Sequence, residues 1–376
     1  MPRPVWVEVD LDSIRHNYNE VKRLVGTKVK IMAIVKADAY GHGAVRVAKS
    51  LVEAGADCFG VAIMKEAMQL RRAGLQKPIL ILGWTPTTEY LKAARNKITL
   101  SICSYSDAEI LSQMAVKNER ITVHLKIDTG MGRIGIIPDE PGMKEVLKIL
   151  ALPGLDIQGI FTHLAKADEK DKVFTKLQLD KFNAFTAAVE RKTGYVFPVK
   201  HAANSAAILD HPEAHFDMVR PGIMLYGLYP SEEVHTERAE LQQALSWRAR
   251  ISQVKKVPPN FPVSYGGIYK TSEESVIATL PLGYADGYSR ILSGRTEVIF
   301  GGQRVPVVGR ICMDQMMINV TAAKSVAKPL DQVTLIGRDK DSFISVDEIA
   351  RVLGTINYEV VCNISKRVPR MYIRKK

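Results

Sequence analysis

The 376-residue sequence predicts an α/β fold: a (β/α)8 TIM-type barrel followed by a mostly antiparallel β-domain. Three observations predict it. Between about residues 29 and 220, eight short β-rich apolar runs alternate with helical patterns, and crossover helices impose parallel strands. No G-x-G-x-x-G follows the first run, which argues against a dinucleotide fold. After about residue 236 short apolar runs are separated by PPN, GG and DK, the texture of antiparallel strands with tight turns.

The barrel strands are expected at 30–35, 57–61, 78–82, 98–102, 121–127, 156–161, 197–200 and 216–219. Eight βα units suit a closed barrel, with an open doubly wound sheet as the alternative because the last two runs are short. Helices are expected at 12–24, 43–54, 64–73, 87–95, 105–117, 140–150, 172–193 and 203–209. Ser106-Asp107 marks one helix start, and Asp139-Glu140-Pro141 another, with acids and proline in the first turn. The second domain is expected to carry strands at 247–255, 276–280, 297–300, 305–311, 316–320 and 333–336. Ser345-Val346-Asp347-Glu348 has the capping-box pattern and Gly354 is a natural helix stop. The polar segment 229–240 is the expected junction, dividing a barrel at 1–235 from a β-domain at 236–376. A first strand near 4–10 is free to pack with the second domain.

Composition limits the function classes. A 46% hydrophobic content supports a large core and excludes a disordered chain. Cys58, Cys103, Cys312 and Cys362 are far apart, without zinc spacing or a disulfide pattern, so a reducing, cytoplasmic location and no metal are expected. No signal peptide is read at the start, and no apolar run approaches the ~18 residues of a membrane span. The net charge of +12 raises nucleic-acid binding as a hypothesis. Half of it lies in the last eleven residues, KRVPRMYIRKK, and no basic–aromatic recognition motif accompanies it, so neither nucleic acid nor membrane is expected as a partner.

The C-terminal ends of barrel strands form the active-site face of such folds. Lys36 follows the first run, His163 the sixth, His201, Asn204 and Ser205 the seventh, and Arg220 and Gly222 the eighth. A partly desolvated lysine at a strand end is able to form a Schiff base, although a snorkelling lysine gives the same pattern. Asn204 and Ser205 open a helix beside Gly222, a place for an anion; a plain N-cap and turn read the same way. Together, an amine, an anion site and a histidine frame a phosphorylated aromatic aldehyde such as pyridoxal phosphate. His42 and His124 read as structural, and Cys312 as a buried sheet residue.

The motif V-K-A-D-A-Y-G-H-G at 35–43 resembles the cofactor-attachment motif of bacterial alanine racemases, pyridoxal-phosphate enzymes built from a barrel and a β-domain. The resemblance continues with K-I-D-T-G-M-G-R-I-G at 126–135, T-H-L-A at 162–165, H-A-A-N-S-A at 201–206 and V-R-P-G-I at 219–223. It extends through V-S-Y-G at 263–266, P-L-G-Y-A-D-G-Y at 281–288, G-R-I-C-M-D-Q at 309–315 and N-Y-E at 357–359.

The resemblance implies interconversion of L- and D-alanine by a two-base mechanism on a pyridoxal 5'-phosphate aldimine, supplying D-alanine for peptidoglycan. Lys36 would carry the cofactor and act as one base, and Tyr265 as the other, entering from the partner subunit of a homodimer with composite active sites. Tyr40, Asn204, Ser205, Gly222, Ile223 and Tyr358 would bind the cofactor on its phosphate side, His163 would lie beside its ring, and Arg220, steadied by His201, would face its ring nitrogen. Arg133 and the Met313 backbone would hold the carboxylate of a small amino-acid substrate, with Asp314 nearby, and Lys126 stands where the family's lysine can be carbamylated, which would orient Arg133. By pattern alone Tyr265 is an ordinary strand-to-turn aromatic, and Tyr358 suits a core. Two alternatives share the fold: a broad-specificity racemase accepting serine or other small residues, and a basic amino-acid decarboxylase. The latter needs a cysteine acid, for which Cys312 is the nearby candidate, and an acid where this chain has Arg220.

Overall fold

The computed structural model describes residues 3–115 and 120–374. They divide into two compact units, one of residues 13–39 and 44–242, the other of the segment up to Asp12, residues 40–43, and the chain from Gln243 onward. The end of the helix expected at 105–117 and the last two lysines of the basic tail lie outside the described residues.

The chain begins with β1 (Val5–Asp10) and α1 (Leu11–Val25). Eight parallel strands then follow: β2 (Lys30–Ile34), β3 (Cys58–Val61), β4 (Ile79–Ile81), β5 (Ile98–Ile102), β6 (Ile121–Lys126), β7 (Leu155–Phe161), β8 (Lys200–His201) and β9 (Met218–Val219). Their order is β8-β7-β6-β5-β4-β3-β2-β9, a nearly closed barrel and not an open sheet. The shortness of β8 and β9 has a structural counterpart. No ladder joins them; Asp217 N–H donates to the Lys200 carbonyl at 3.1 Å, Arg220 N–H to the Ala203 carbonyl at 2.9 Å, and Lys200 N–H to the Asp217 carboxylate at 2.7 Å. β4 and β5 are buried along their whole length, as expected for strands covered on both faces.

The crossover helices are α2 (Ala44–Ala54), α3 (Met64–Arg72), α4 (Tyr90–Arg95), α5 (Tyr105–Gln113), α6 (Glu140–Leu150), α7 (Val173–Thr193) and α8 (Ser205–Asp210). Asp139 caps α6 by accepting from Gly142 N–H at 2.8 Å, ahead of Pro141. α5 starts earlier than Ser106: Ser104 is its cap, accepting from Asp107 N–H at 3.2 Å, because its backbone is extended and Ser106 is already helical.

In the second unit one sheet runs β11-β14-β17-β16-β15-β18-β10-β1-β20, antiparallel except for the β1–β20 pair. These strands are β10 (Leu245–Arg250), β11 (Gln253–Val257), β14 (Ser275–Leu280), β15 (Glu297–Phe300), β16 (Gln303–Val308), β17 (Met316–Asn319), β18 (Gln332–Asp339) and β20 (Arg370–Ile373); β12 (Pro262–Val263) pairs with β13 (Tyr269–Lys270), and β19 (Ser342–Ile344) with β18. The single strand expected at 247–255 is therefore two. The chain breaks at Ile251-Ser252, and the halves join distant parts of the sheet.

Helix α9 (Val346–Leu353) ends at Gly354 in the left-handed region, as expected. Its capping box is half made: Ser345 accepts from Glu348 N–H at 2.9 Å, while the Glu348 carboxylate binds Arg304 at 2.7 Å. The sequence patterning passed over α10 (Asn357–Cys362), which is too short to show a helical period. The basic tail is not a solvated extension. Residues 370–373 form β20 beside β1, and the Arg370 guanidinium donates to the carbonyls of Gly41, Ile364, Ser365 and Val368 at 2.6–2.9 Å.

Candidate active site

β2 delivers Lys36, half-buried, to the C-terminal rim of the barrel. Residues 37–40 then take four consecutive positive φ values, 51°, 55°, 55° and 51°, a left-handed turn built without glycine. Such backbone costs roughly 1–2 kcal/mol per residue and persists only where its surroundings hold it. Here Ala37 N–H donates to Glu66 at 2.7 Å, Ala39 N–H to the Val35 carbonyl at 2.9 Å, and Asp38 accepts from Ala44 N–H at 2.8 Å. In the other unit, a Cβ on Gly41 would lie 2.2 Å from the Val361 carbonyl oxygen, which explains the glycine that follows Tyr40. Tyr40 itself is buried, with its ring centroid 6.0 Å from that of half-buried Tyr358.

β6 to β9 supply a buried polar cluster. Arg220, 4% exposed, donates through one terminal nitrogen to the Thr162 and Ala202 carbonyls, both at 2.8 Å, and lies 3.3 Å from His163 Nδ1. Its other terminal nitrogen is 2.9 Å from His201 Nδ1. His201 Nε2 in turn is 2.8 Å from His124 Nδ1, so His124 belongs to this cluster and is more than filling. Burial, and then the charge of Arg220, hold His201 and His163 well below the usual imidazole range and His124 down to about 3. Burial lowers Arg220 from its ordinary value to about 9, which leaves it charged at neutral pH. Its hydrogen-bond partners among the described residues are two carbonyls and two imidazole nitrogens, all neutral acceptors.

Lys126, 2% exposed, lies 4.9 Å from the centroid of the Phe161 ring. Burial and then Arg220 push its amine down to about 7. The next loop is organised by Asp128, whose carboxylate accepts four backbone N–H groups, from Gly130, Met131, Gly132 and Arg133, at 2.8–3.1 Å. Burial would raise this carboxyl, but the four donors outweigh it and hold it below its usual range. The loop leaves Arg133 exposed at the strand end.

Asn204 is the N-cap of α8, accepting from Ala207 N–H at 3.0 Å, so its oxygen is committed to the helix. Ser205 Oγ accepts from Gly222 N–H at 2.9 Å and Met224 N–H at 3.4 Å, and Ile223, between them, is buried. Ser205 Oγ thereby ties the start of α8 to the turn after β9.

In the β-unit, Tyr265, Met313 and Asp314 line one cleft of about 680 Å3. Tyr265 is 70% exposed and Met313 53%. Cys312, expected to be buried in a sheet, is half-buried in the loop between β16 and β17, with Sγ 3.4 Å from Ser264 Oγ. Asp314 pairs with Arg367 at 2.7 Å. Arg310 also escaped the sequence reading, although it stands in the quoted G-R-I-C-M-D-Q run. Its guanidinium would lie 3.4 Å from a Cβ on Gly266, beside the Tyr265 turn. No helix of the described residues is long and apolar enough to cross a membrane.

Comparisons with known proteins identify the family. Residues 9–230 match the family described as "Alanine racemase, N-terminal domain", and residues 244–372 the family described as "Alanine racemase, C-terminal domain". The chain is 48% identical over 371 residues to an alanine racemase of Methanococcus maripaludis, covering 98% of this chain and 99% of that one. It is 49% identical over 371 residues to one of Clostridium perfringens, covering 98% and 95%. A solved alanine racemase of Clostridium difficile superposes with a TM-score of 0.94 at 41% identity, covering 99% of this chain and 96% of that chain. With both domain families matched in order along the chain, the protein belongs to the alanine racemase family.

Proposed function

We propose that this protein interconverts L- and D-alanine using pyridoxal 5'-phosphate, as a homodimer. The observation that carries the reading is Arg220, a buried cation whose hydrogen-bond partners are neutral acceptors. That environment suits an unprotonated ring nitrogen and repels a protonated one, since a guanidinium has only protons to give. The Ser205 hydroxyl, beside the Gly222–Ile223 turn that is tied to it, suits the phosphate, with Tyr40, Asn204, Ile223 and Tyr358 as further cofactor contacts. Half-buried Lys36 supplies the amine. When bound, the cofactor supplies an electron sink that acidifies the substrate Cα–H.

The chain's own groups do the rest. Inversion requires a proton to leave one face of Cα and another to arrive on the opposite face, which calls for a base on each side. Lys36 serves the D-face and Tyr265 the L-face. Arg310 stands beside the Gly266 turn that follows Tyr265. Arg133 and the Met313 backbone orient the substrate carboxylate. His163 would lie beside the ring, and Arg220, held by His201, would face the ring nitrogen and disfavour its protonation.

Exposed apolar side chains support the dimer reading. Tyr265, Ile268 and Met313 stand out on the β-unit, while Ile63, Trp84 and Ile137 stand out on loops after the barrel strands. Apolar side chains left open on two surfaces favour mutual burial, and a partner's Tyr265 would complete each site. The position of Arg220 also tells against a decarboxylase, which needs an acid there. Production of D-alanine for the cell wall and a cytoplasmic location accord with this activity.

The test is racemisation of a panel of L- and D-amino acids, with Lys36→Ala as control. Alanine should lead the panel, with measurable activity on serine because a small pocket rejects one added hydroxyl only weakly. Full cofactor-dependent activity in the control would refute the assignment of Lys36.

A further inference from the structure

Strand β6 carries a histidine that the proposed chemistry does not touch. His124 is buried, 8% exposed, two residues before Lys126. Its placement depends on an irregularity between β6 and β7. Val123 is opposite Ile157, but His124 is opposite Gly159, so the register skips Gln158. A Cβ on residue 159 would lie 2.5 Å from His124 Nδ1 and 2.6 Å from its Cε1, so glycine there makes room for the ring. The bulge and the glycine together bring the imidazole against His201.

Hydrogen-bond polarity along this chain is determined. The Arg220 nitrogen 2.9 Å from His201 Nδ1 can only donate, so His201 Nδ1 accepts. A neutral His201 therefore carries its proton on Nε2 and donates it to His124 Nδ1 at 2.8 Å. His124 then has its own proton on Nε2. Burial and the Arg220 charge keep a second proton off both rings.

We infer that His124 is a positioning residue, seated by the Gly159 irregularity, that locks His201 in the Nε2–H tautomer and thereby holds the Arg220 guanidinium toward the cofactor ring nitrogen. This rests on the functional reading above. Without an acceptor at position 124, His201 has two poor choices. It keeps a buried N–H with no partner, or it moves the proton to Nδ1, where it opposes the Arg220 N–H. In the second case Arg220 keeps its bonds to the Thr162 and Ala202 carbonyls but loses its third support and pivots. The lock is a second-neighbour effect of the kind that orients the groups touching a cofactor.

The experiment compares His124→Phe, His124→Asn and Gly159→Ala in the cofactor-loaded protein, using ring 15N NMR and steady-state kinetics. The wild type should show His201 protonated on Nε2. His124→Phe and Gly159→Ala should lose that single-tautomer signature and lower kcat about tenfold with little change in KM. Asn presents an oxygen near the place of Nδ1, so His124→Asn should restore the tautomer and most of kcat. A wild-type His201 protonated on Nδ1, a folded His124→Phe with the native tautomer and kcat, or an Asn variant as impaired as Phe would each overturn the inference. Should the Phe variant fail to fold, the wild-type tautomer and the Asn variant still decide it. A wild type with the Nε2–H tautomer but no turnover supports the lock and counts against the functional reading alone.

Discussion

Lys126 and Arg220, two buried cations, approach the same aromatic ring: their charged ends lie 4.9 and 5.5 Å from the Phe161 centroid. His201 stacks on that ring, 4.7 Å away and 4° from parallel. The nearby Asp128 has its carboxylate engaged by four backbone N–H groups, which limits what it offers Lys126. A cationic Lys126 is therefore a cost to the native fold.

This cost has a definite pH dependence. Lys126 titrates near 7 in the folded chain and at its ordinary 10.5 when unfolded. Between these values the unfolded chain holds a proton that the native chain lacks, so stability rises with pH across the window and the penalty is full below pH 7. In carbonate-free buffer Lys126→Met should stabilise the protein by ~1–4 kcal/mol, more at pH 6 than at pH 9. Equal melting temperatures for both proteins at both pH values would refute this. A free amine near neutrality also accepts carbon dioxide, and 13C-bicarbonate should label Lys126 as a carbamate in NMR spectra of the wild type but not of Lys126→Met.

On the proposed function, Arg220→Glu would reverse the charge facing the ring nitrogen. With a carboxylate there the ring holds its proton and becomes a stronger sink. Stopped-flow spectra should then show a long-lived visible absorbance, and pyruvate should appear as a side product. Wild-type spectra and product ratio in the variant would contradict the role given to Arg220.

On the proposed two-base mechanism, Tyr265→Phe would remove one base, so its effect should be one-sided. Solvent deuterium should still exchange into D-alanine through Lys36, while exchange into L-alanine drops by about 10²–10⁴. Mixing inactive Lys36→Ala and Tyr265→Phe chains should restore about a quarter of wild-type activity, because half of the dimers then hold one intact composite site. No recovery after verified subunit exchange would mean that each chain completes its own site.

The Arg370 contacts predict a structural role for the basic tail. Arg370→Ala strips donors from four backbone carbonyls. It should lower stability by ~2–4 kcal/mol, read as a fall in melting temperature. Unchanged DNA affinity alongside that fall would separate this role from nucleic-acid binding.

The sequence by itself determined the alternation of strands and helices. Apolar runs at 98–102 and 121–126 and the capped start of α6 are local signals, set by side-chain periodicity and by backbone donors that need a partner. It also determined the position of every motif residue along the chain, including Lys36 and Tyr265. Tertiary structure alone decided what needs distant contacts. The closing of β8 on β9 rests on Asp217 and Lys200, which leave almost no periodic trace. The two strands read as one at 247–255 separate because their partners lie far along the chain. The basic tail becomes a strand because β1 offers it an edge. His124 looks structural in sequence, and its place in the Arg220 cluster depends on a register shift and on a missing Cβ across the ladder, both properties of strand pairing.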